Sequence, residues 1–175
     1  EGRSVMRDLE AAEAAAAACF SDSYEERAKA IFSLHQTYGP FAAVPLVHAL
    51  GDAKESRRLA SVYALSRMGS NVVIPLLSAA YSANTEVRLG ALHVLNVLND
   101  PRASGVISDL AANDSEGAVR ALASGMVQSS SSAGAQLVSQ AWSFFNQDAN
   151  LGLSSIENHG VLFAIDGRNL TPYEV

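Results

Sequence analysis

The most regular feature of the chain is a set of small and apolar positions that recur at fixed distances from four arginines. These are Arg27, Arg58, Arg88 and Arg120, spaced by 31, 30 and 32 residues. Three positions after each stand Ala30, Ser61, Ala91 and Ala123; four positions after stand Ile31, Val62, Leu92 and Ser124. Seven positions after come Leu34, Leu65, Leu95 and Val127. Small and apolar residues at these offsets share one face of an α-helix and let a second helix pack closely on it. Six positions before three of the arginines lie Asp52, Ser82 and Asp114, which read as helix N-caps. Pro45 and Pro75 each lead an apolar run and are tolerated in the first turn of a helix.

The unit is therefore a first helix, a short capped turn and a second helix with the arginine near its start. The pattern predicts helices over 3–20, 24–38, 41–51, 54–69, 71–81, 84–99, 102–112 and 116–128. Gly39-Pro40, Gly69-Ser70 and Asp100-Pro101 break the chain between units. Two helices this short bury too little surface to stand alone, so stacking of successive pairs is required. The fold class that follows is all-α, an α-α superhelix of about four pairs.

The ends differ from the repeats. Residues 8–20 form an alanine-rich helix suited to capping the first pair. Four serines, Ser129 to Ser132, separate the repeats from a further helix over 135–148. Its Leu137, Ala141 and Phe145 share a face that Val138 and Trp142 widen. That helix either caps the last pair or leaves Trp142 exposed as a binding anchor. In the tail, Val161 to Ile165 is a β-prone run followed by Asp166-Gly167, which predicts a hairpin about that dipeptide. Both strand faces carry apolar residues, so the hairpin is expected to lie between the helical end and a partner, with its open edge available for self-association. The organisation read from this is a helical repeat domain over 1–148 and a C-terminal tail over 149–175.

Leu50-Gly51-Asp52, Arg58-Leu59-Ala60, Ala64-Leu65 to Gly69, Glu86-Val87-Arg88 and Ala91-Leu92 resemble the HEAT repeat family, in particular the short HEAT-like units first described in phycobilin lyases. The likeness runs from about 24 to 128; the fourth copy departs, with a longer approach to Arg120 and Ser124 in place of an apolar residue. The resemblance implies a structural ladder in which Arg27, Arg58, Arg88 and Arg120 bind inter-helix loop carbonyls and the acids Asp52 and Asp114. It also implies that the second helices line a concave face. By helical phase that face shows Lys29, Ser33, Gln36, Ser66, Arg67, His93 and Asn96, a mixed polar set.

Charge and chemistry narrow the function. The formal charge is -6, with two lysines, Lys29 and Lys54, so a nucleic-acid backbone is not the expected partner. No apolar run is long enough for a membrane span. A lone Cys19 forms no internal disulfide and reads as a small buried hydrophobe, so the expected location is cytoplasmic. The chain starts at Glu1 rather than Met, so a removed leader or a longer parent stays open. His35, His48, His93 and His159 fall in no common column, and no HExxH, GxSxG, Walker A loop or GxGxxG occurs. The His-Glu pairs of HEAT-type di-iron hydroxylases are missing too. No catalytic residue, metal ligand or cofactor is assigned.

Three functions remain. The first is a scaffold or adaptor that presents a concave surface to a protein or peptide, through Lys29, Gln36, Arg67, His93, Asn96, Trp142 and Phe163. The second is a subunit of a lyase or isomerase resembling the phycobilin group. The third is a structural segment of a larger protein.

Overall fold

The computed structural model describes residues 8–127, 132–146 and 161–174. The helices are α1 (Leu9–Ala16), α2 (Tyr24–Tyr38), α3 (Ala43–Leu50), α4 (Glu55–Arg67), α5 (Val73–Ala79), α6 (Thr85–Leu98), α7 (Ser104–Asn113), α8 (Gly117–Met126) and α9 (Ala133–Phe145). They stack as antiparallel pairs α1/α2, α3/α4, α5/α6 and α7/α8, with α9 against α7. The fold is an all-α solenoid that ends in a short two-stranded sheet, β1 (Val161–Asp166) and β2 (Asn169–Glu174). None of the described helices is long and apolar enough to cross a membrane.

The first helices are shorter than the pattern predicts. Each of α3, α5 and α7 is entered through a tight 3-10 turn, over Gly39–Ala42, Gly69–Val72 and Pro101–Ala103, and α1 runs out into another at Ala17–Phe20. Pro45 and Pro75 are the third residues of α3 and α5, where no intrahelical N–H bond is lost. Two of the second helices end on residues of positive φ, Gly39 (φ 52°) after α2 and Asn99 (φ 47°) after α6.

The column positions fill the core. Leu34, Leu65, Leu92, Leu95 and Ala91 are buried, together with Leu46, Val47, Leu50, Val73 and Leu76 from the first helices. Ser61, the hydroxyl in the column of alanines, donates to the Leu46 carbonyl, so its burial strands no donor. Gly90 lets α6 approach α3: a Cβ there would stand 2.7 Å from Leu50 Cδ2. In the fourth pair the pattern decays: Ser124 departs as expected, and Val127, placed in the inward column by its spacing, is also exposed.

The cap positions need correction. Asp52, Ser82 and Asp114 are not the N-cap residues; Lys54, Asn84 and Glu116 are. The acids and the serine lie two residues earlier, where their side-chain oxygens accept from the N–H groups of Lys54 (2.8 Å), Asn84 (3.0 Å) and Glu116 (2.8 Å). They close an Asx or Ser turn that brings the chain into the helix.

The hairpin forms, with two differences from expectation. Its loop residues are Gly167 and Arg168, since Asp166 pairs with Asn169. Gly167 alone takes a positive φ (57°), as a type II′ turn requires at its first central position. The hairpin also packs against α3 and α5 in the middle of the solenoid, not on the terminal helix. Phe163 and Leu170 are buried in the same core as the repeats, and Phe163 stacks at 6.1 Å on Phe41. The expected boundary at 148/149 lies outside the described residues.

Polar groups of the first helices and of the turn after α5 hold the strands in place. Ser78 donates to the Phe163 carbonyl (2.8 Å), Ser82 donates to the Gly167 carbonyl, and the Leu170 N–H donates to His48 Nε2 (3.2 Å). A two-residue loop makes Asp166 and Asn169 the closing hydrogen-bonded pair, so Phe163 and Leu170 turn their backbone groups outward. Ser78 and His48 take those groups, one on each strand, and Pro172 wastes no N–H at its outward position. The edge expected to be open is thus partly closed by the chain itself.

This docking makes stability depend on pH. Burial holds the His48 pKa below the ordinary histidine value; Glu13 opposes this and Arg168 reinforces it. The folded chain then binds the proton less readily than the unfolded one, so the contribution is whole above the ordinary value and is lost as pH falls through it. Thermal melts from about pH 7.5 to 5 should show wild type losing stability more steeply than His48→Gln, whose amide oxygen accepts the same bond without titrating. Parallel slopes for the two proteins would remove His48 from the docking.

Candidate functional site

Each ladder arginine is aimed by the helix it starts. From the first turns of α2, α4, α6 and α8, one guanidinium nitrogen reaches back to the two carbonyls of the preceding loop. Arg27 donates to Ser21 O (2.6 Å) and Asp22 O (3.0 Å), and Arg58 to Asp52 O (3.0 Å) and Ala53 O (3.3 Å). Arg88 does so at Ser82 O (2.8 Å) and Ala83 O (3.3 Å), and Arg120 at Asp114 O (2.5 Å) and Ser115 O (2.9 Å). The repeat spacing thus places the same two bonds in every pair.

Links between pairs vary with the residue in the turn. Arg88 forms a bidentate pair with Asp114 of the next unit, at 2.9 and 3.0 Å, with both side chains buried. The position equivalent to Asp114 one unit earlier is Ser82, and Arg58 pairs instead with Glu86 (3.1 Å), which is half exposed. Ser82 is bound otherwise: its hydroxyl accepts from Asn84 and donates to Gly167, two roles that no ionised aspartate could combine. Asp52 pairs loosely with Arg57 (3.5 Å), whose guanidinium lies 4.5 Å above the Phe20 ring.

The outward faces of the second helices carry Lys29, Gln36, Arg67, His93 and Asn96, all exposed. Lys29 is bound to Glu25 of its own helix (2.7 Å). This face is less polar than the phase argument suggests. Tyr24, Phe32, Leu59, Tyr63 and Val97 are also exposed on it, Phe32 at 66%. The signal lay in the column five positions after the arginines, Phe32, Tyr63 and His93, flanked on the same helix face by Leu59 and Val97.

Between α2 and α4 this face opens into a groove, whereas α4 packs directly along α6. The 3-10 turn Ala17–Phe20 packs against both α2 and α4 and accompanies their separation. One stretch of the groove is lined by Tyr24, Ala28, Phe32, His35, Tyr63 and Arg67. Phe20, Arg57 and Leu59 continue it toward the helix starts. Only Arg67 of the expected partner-binding residues lies in its wall.

The other two expected anchors separate. Trp142 is 60% exposed on α9 and stacks edge-on against Phe145 at 5.8 Å. The inward contacts of α9 come partly from its apolar face, where Leu137 covers Gly105, and partly from residues that pattern did not favour: Gln136 donates to Ser108 (2.9 Å) and Gln140 donates to the Arg102 carbonyl (2.5 Å). Phe163 is buried under the hairpin and presents no binding surface, a correction to its expected role.

Of the groups considered for chemistry, Cys19 is buried, and burial pushes its thiol up to about 11, so it stays protonated at neutral pH. His48 is bound to the hairpin, and His93 faces outward. Among the described residues no three His, Cys, Asp or Glu side chains converge.

No curated protein and no solved structure matches the chain. Residues 10–96 match the family model of HEAT repeats, a span that runs from α1 into α6 and takes in the groove and the first three ladder arginines. HEAT repeats commonly serve as protein-interaction scaffolds and are typically non-catalytic. With helical pairs repeating through the described chain and this match, the protein belongs to the HEAT repeat family.

Proposed function

We propose that this protein is a scaffold or adaptor that binds a protein or peptide on the outward face of its second helices. One observation carries the reading: Tyr24, Phe32, Leu59 and Tyr63 leave an aromatic and apolar surface exposed along the groove between α2 and α4. Burial of such side chains is what makes a few residues dominate binding, and an exposed cluster of them on a rigid helical frame is a ready anchor.

Capture of partners from native lysate tests it by difference. Phe32→Ser with Tyr63→Ser should weaken retention of a bound protein roughly 30-fold, the scale of losing about 2 kcal/mol of anchor contact. Val138→Ser with Trp142→Ser should not. Thermal melts should match wild type in both, since all four side chains are exposed. If the partners retained are the same for wild type and the Phe32/Tyr63 variant, the second-helix face is not the binding surface.

A further inference from the structure

We propose that the groove between α2 and α4 takes an apolar peptide segment that carries a carboxylate, its acid seated on Arg67. The inference rests on the scaffold reading and names the chemistry of the partner.

The wall of Tyr24, Ala28, Ile31, Phe32, His35, Tyr63 and Arg67 contains no carboxylate, although the whole chain carries a formal charge of -6. Its one guanidinium has no set partner. The guanidinium of Arg67, in the last turn of α4, makes no hydrogen bond or ion pair with any described residue. That separates it from Arg27, Arg58, Arg88 and Arg120, which are all engaged with loop carbonyls. The Nδ1 of His35 is buried and has no hydrogen-bond partner among the described residues.

The remaining wall sets the rest of the ligand. Phe32 and Tyr63 project from facing helices, and Tyr24 adds a third ring, so an aliphatic or aromatic side chain can lie between them. One guanidinium suits one carboxylate; a polyanion would need several free cations along its track, and this wall offers Arg67 alone. The fit is therefore to an acid placed close in sequence to a bulky apolar residue.

The test is panning of a phage-displayed random dodecapeptide library on the immobilised chain, with the Phe32→Ser, Tyr63→Ser variant as counter-target. Enriched peptides are then synthesised with a fluorescent label and titrated by anisotropy. The expected consensus holds Asp or Glu within a few residues of Phe, Leu, Ile or Trp. Arg67→Ala should weaken binding about ten-fold and Arg67→Lys less, because the ammonium keeps the charge but not the fork. Replacing the peptide acid by its amide should cost as much as Arg67→Ala, and doing both should cost little more than either alone. Peptides with a basic or acid-free consensus, or with equal affinity for wild type and Arg67→Ala, overturn the proposal. If those peptides still lose binding to the Phe32/Tyr63 variant, the scaffold reading survives while the carboxylate partner does not. No enrichment over the counter-target also overturns the peptide proposal, and the lysate capture then decides the scaffold reading separately.

Discussion

Leu65→Ala is expected to destabilise the chain by about 2–5 kcal/mol, the range for removing a fully buried leucine side chain and leaving a cavity. Leu65 is wholly buried, and Leu95 occupies the same column one unit on at 1% exposure, so Leu95→Ala should fall in the same range. Each is held between its own first helix and the neighbouring pair, and in a stack of pairs that interface is the core. The fourth member of the column supplies the control. Val127 is 39% exposed, so Val127→Ala should cost less than ~0.5 kcal/mol. Urea melts of the three variants decide the matter: equal losses at 65, 95 and 127 would mean that the last pair is packed like the others. Losses below ~0.5 kcal/mol at both leucines would show that the helix phase is wrong.

Arg88→Ala should lose about 3–5 kcal/mol, more than any other change in the ladder. The Arg88 and Asp114 side chains are 8% and 4% exposed, so truncating the arginine leaves a buried carboxylate with only the Glu116 N–H to satisfy it. It also strands the carbonyls of Ser82 and Ala83. Arg58→Ala removes the same kind of loop bonds, but its partner Glu86 is half exposed and the ion pair adds at most about 1 kcal/mol. The double variant Arg88→Met, Asp114→Leu separates the pair from its parts. It should recover part of the loss, because two apolar side chains strand no charge. A loss below about 1 kcal/mol for Arg88→Ala would show that water reaches Asp114 and that the pair is not a structural link.

The arginine column was legible in the spacing, its ladder role only through the resemblance to HEAT-like repeats, and its loop contacts prove to be local. An arginine near a helix start and the carbonyls five and six residues before it belong to one loop-helix unit, and a repeat of 30 to 32 residues writes that unit four times. The inward columns were legible in the spacing too, since helical geometry alone puts offsets of three, four and seven on one face. The exposed ring residues Phe32 and Tyr63 were readable in principle, as a column, and were obscured by the polar residues beside them. What they face was not readable: a groove exists between α2 and α4 because those helices stand apart where α4 and α6 do not.

The terminal helix shows how pattern can mislead. Leu137, Val138, Trp142 and Phe145 look like a core face, yet Leu137 covers Gly105 of α7 while Val138, Trp142 and Phe145 stay exposed, and Gln136 and Gln140 make the hydrogen bonds to α7 and its entry turn. The last surface of the stack offers a hydroxyl and a free carbonyl there, and an amide meets both better than an apolar side chain does.

By itself the sequence determined where the helices lie to within a few residues, where the units break, and that the tail makes a hairpin, because propensity, turn chemistry and periodicity act over a few residues. The tertiary structure alone decided where the hairpin docks. Its bonds join residues 85 and 122 positions apart, Ser78 to Phe163 and His48 to Leu170. No local signal encodes such a meeting; it depends on how far the stacked pairs carry the first helices in space, and on which of their outward groups is left without a partner until the strands arrive.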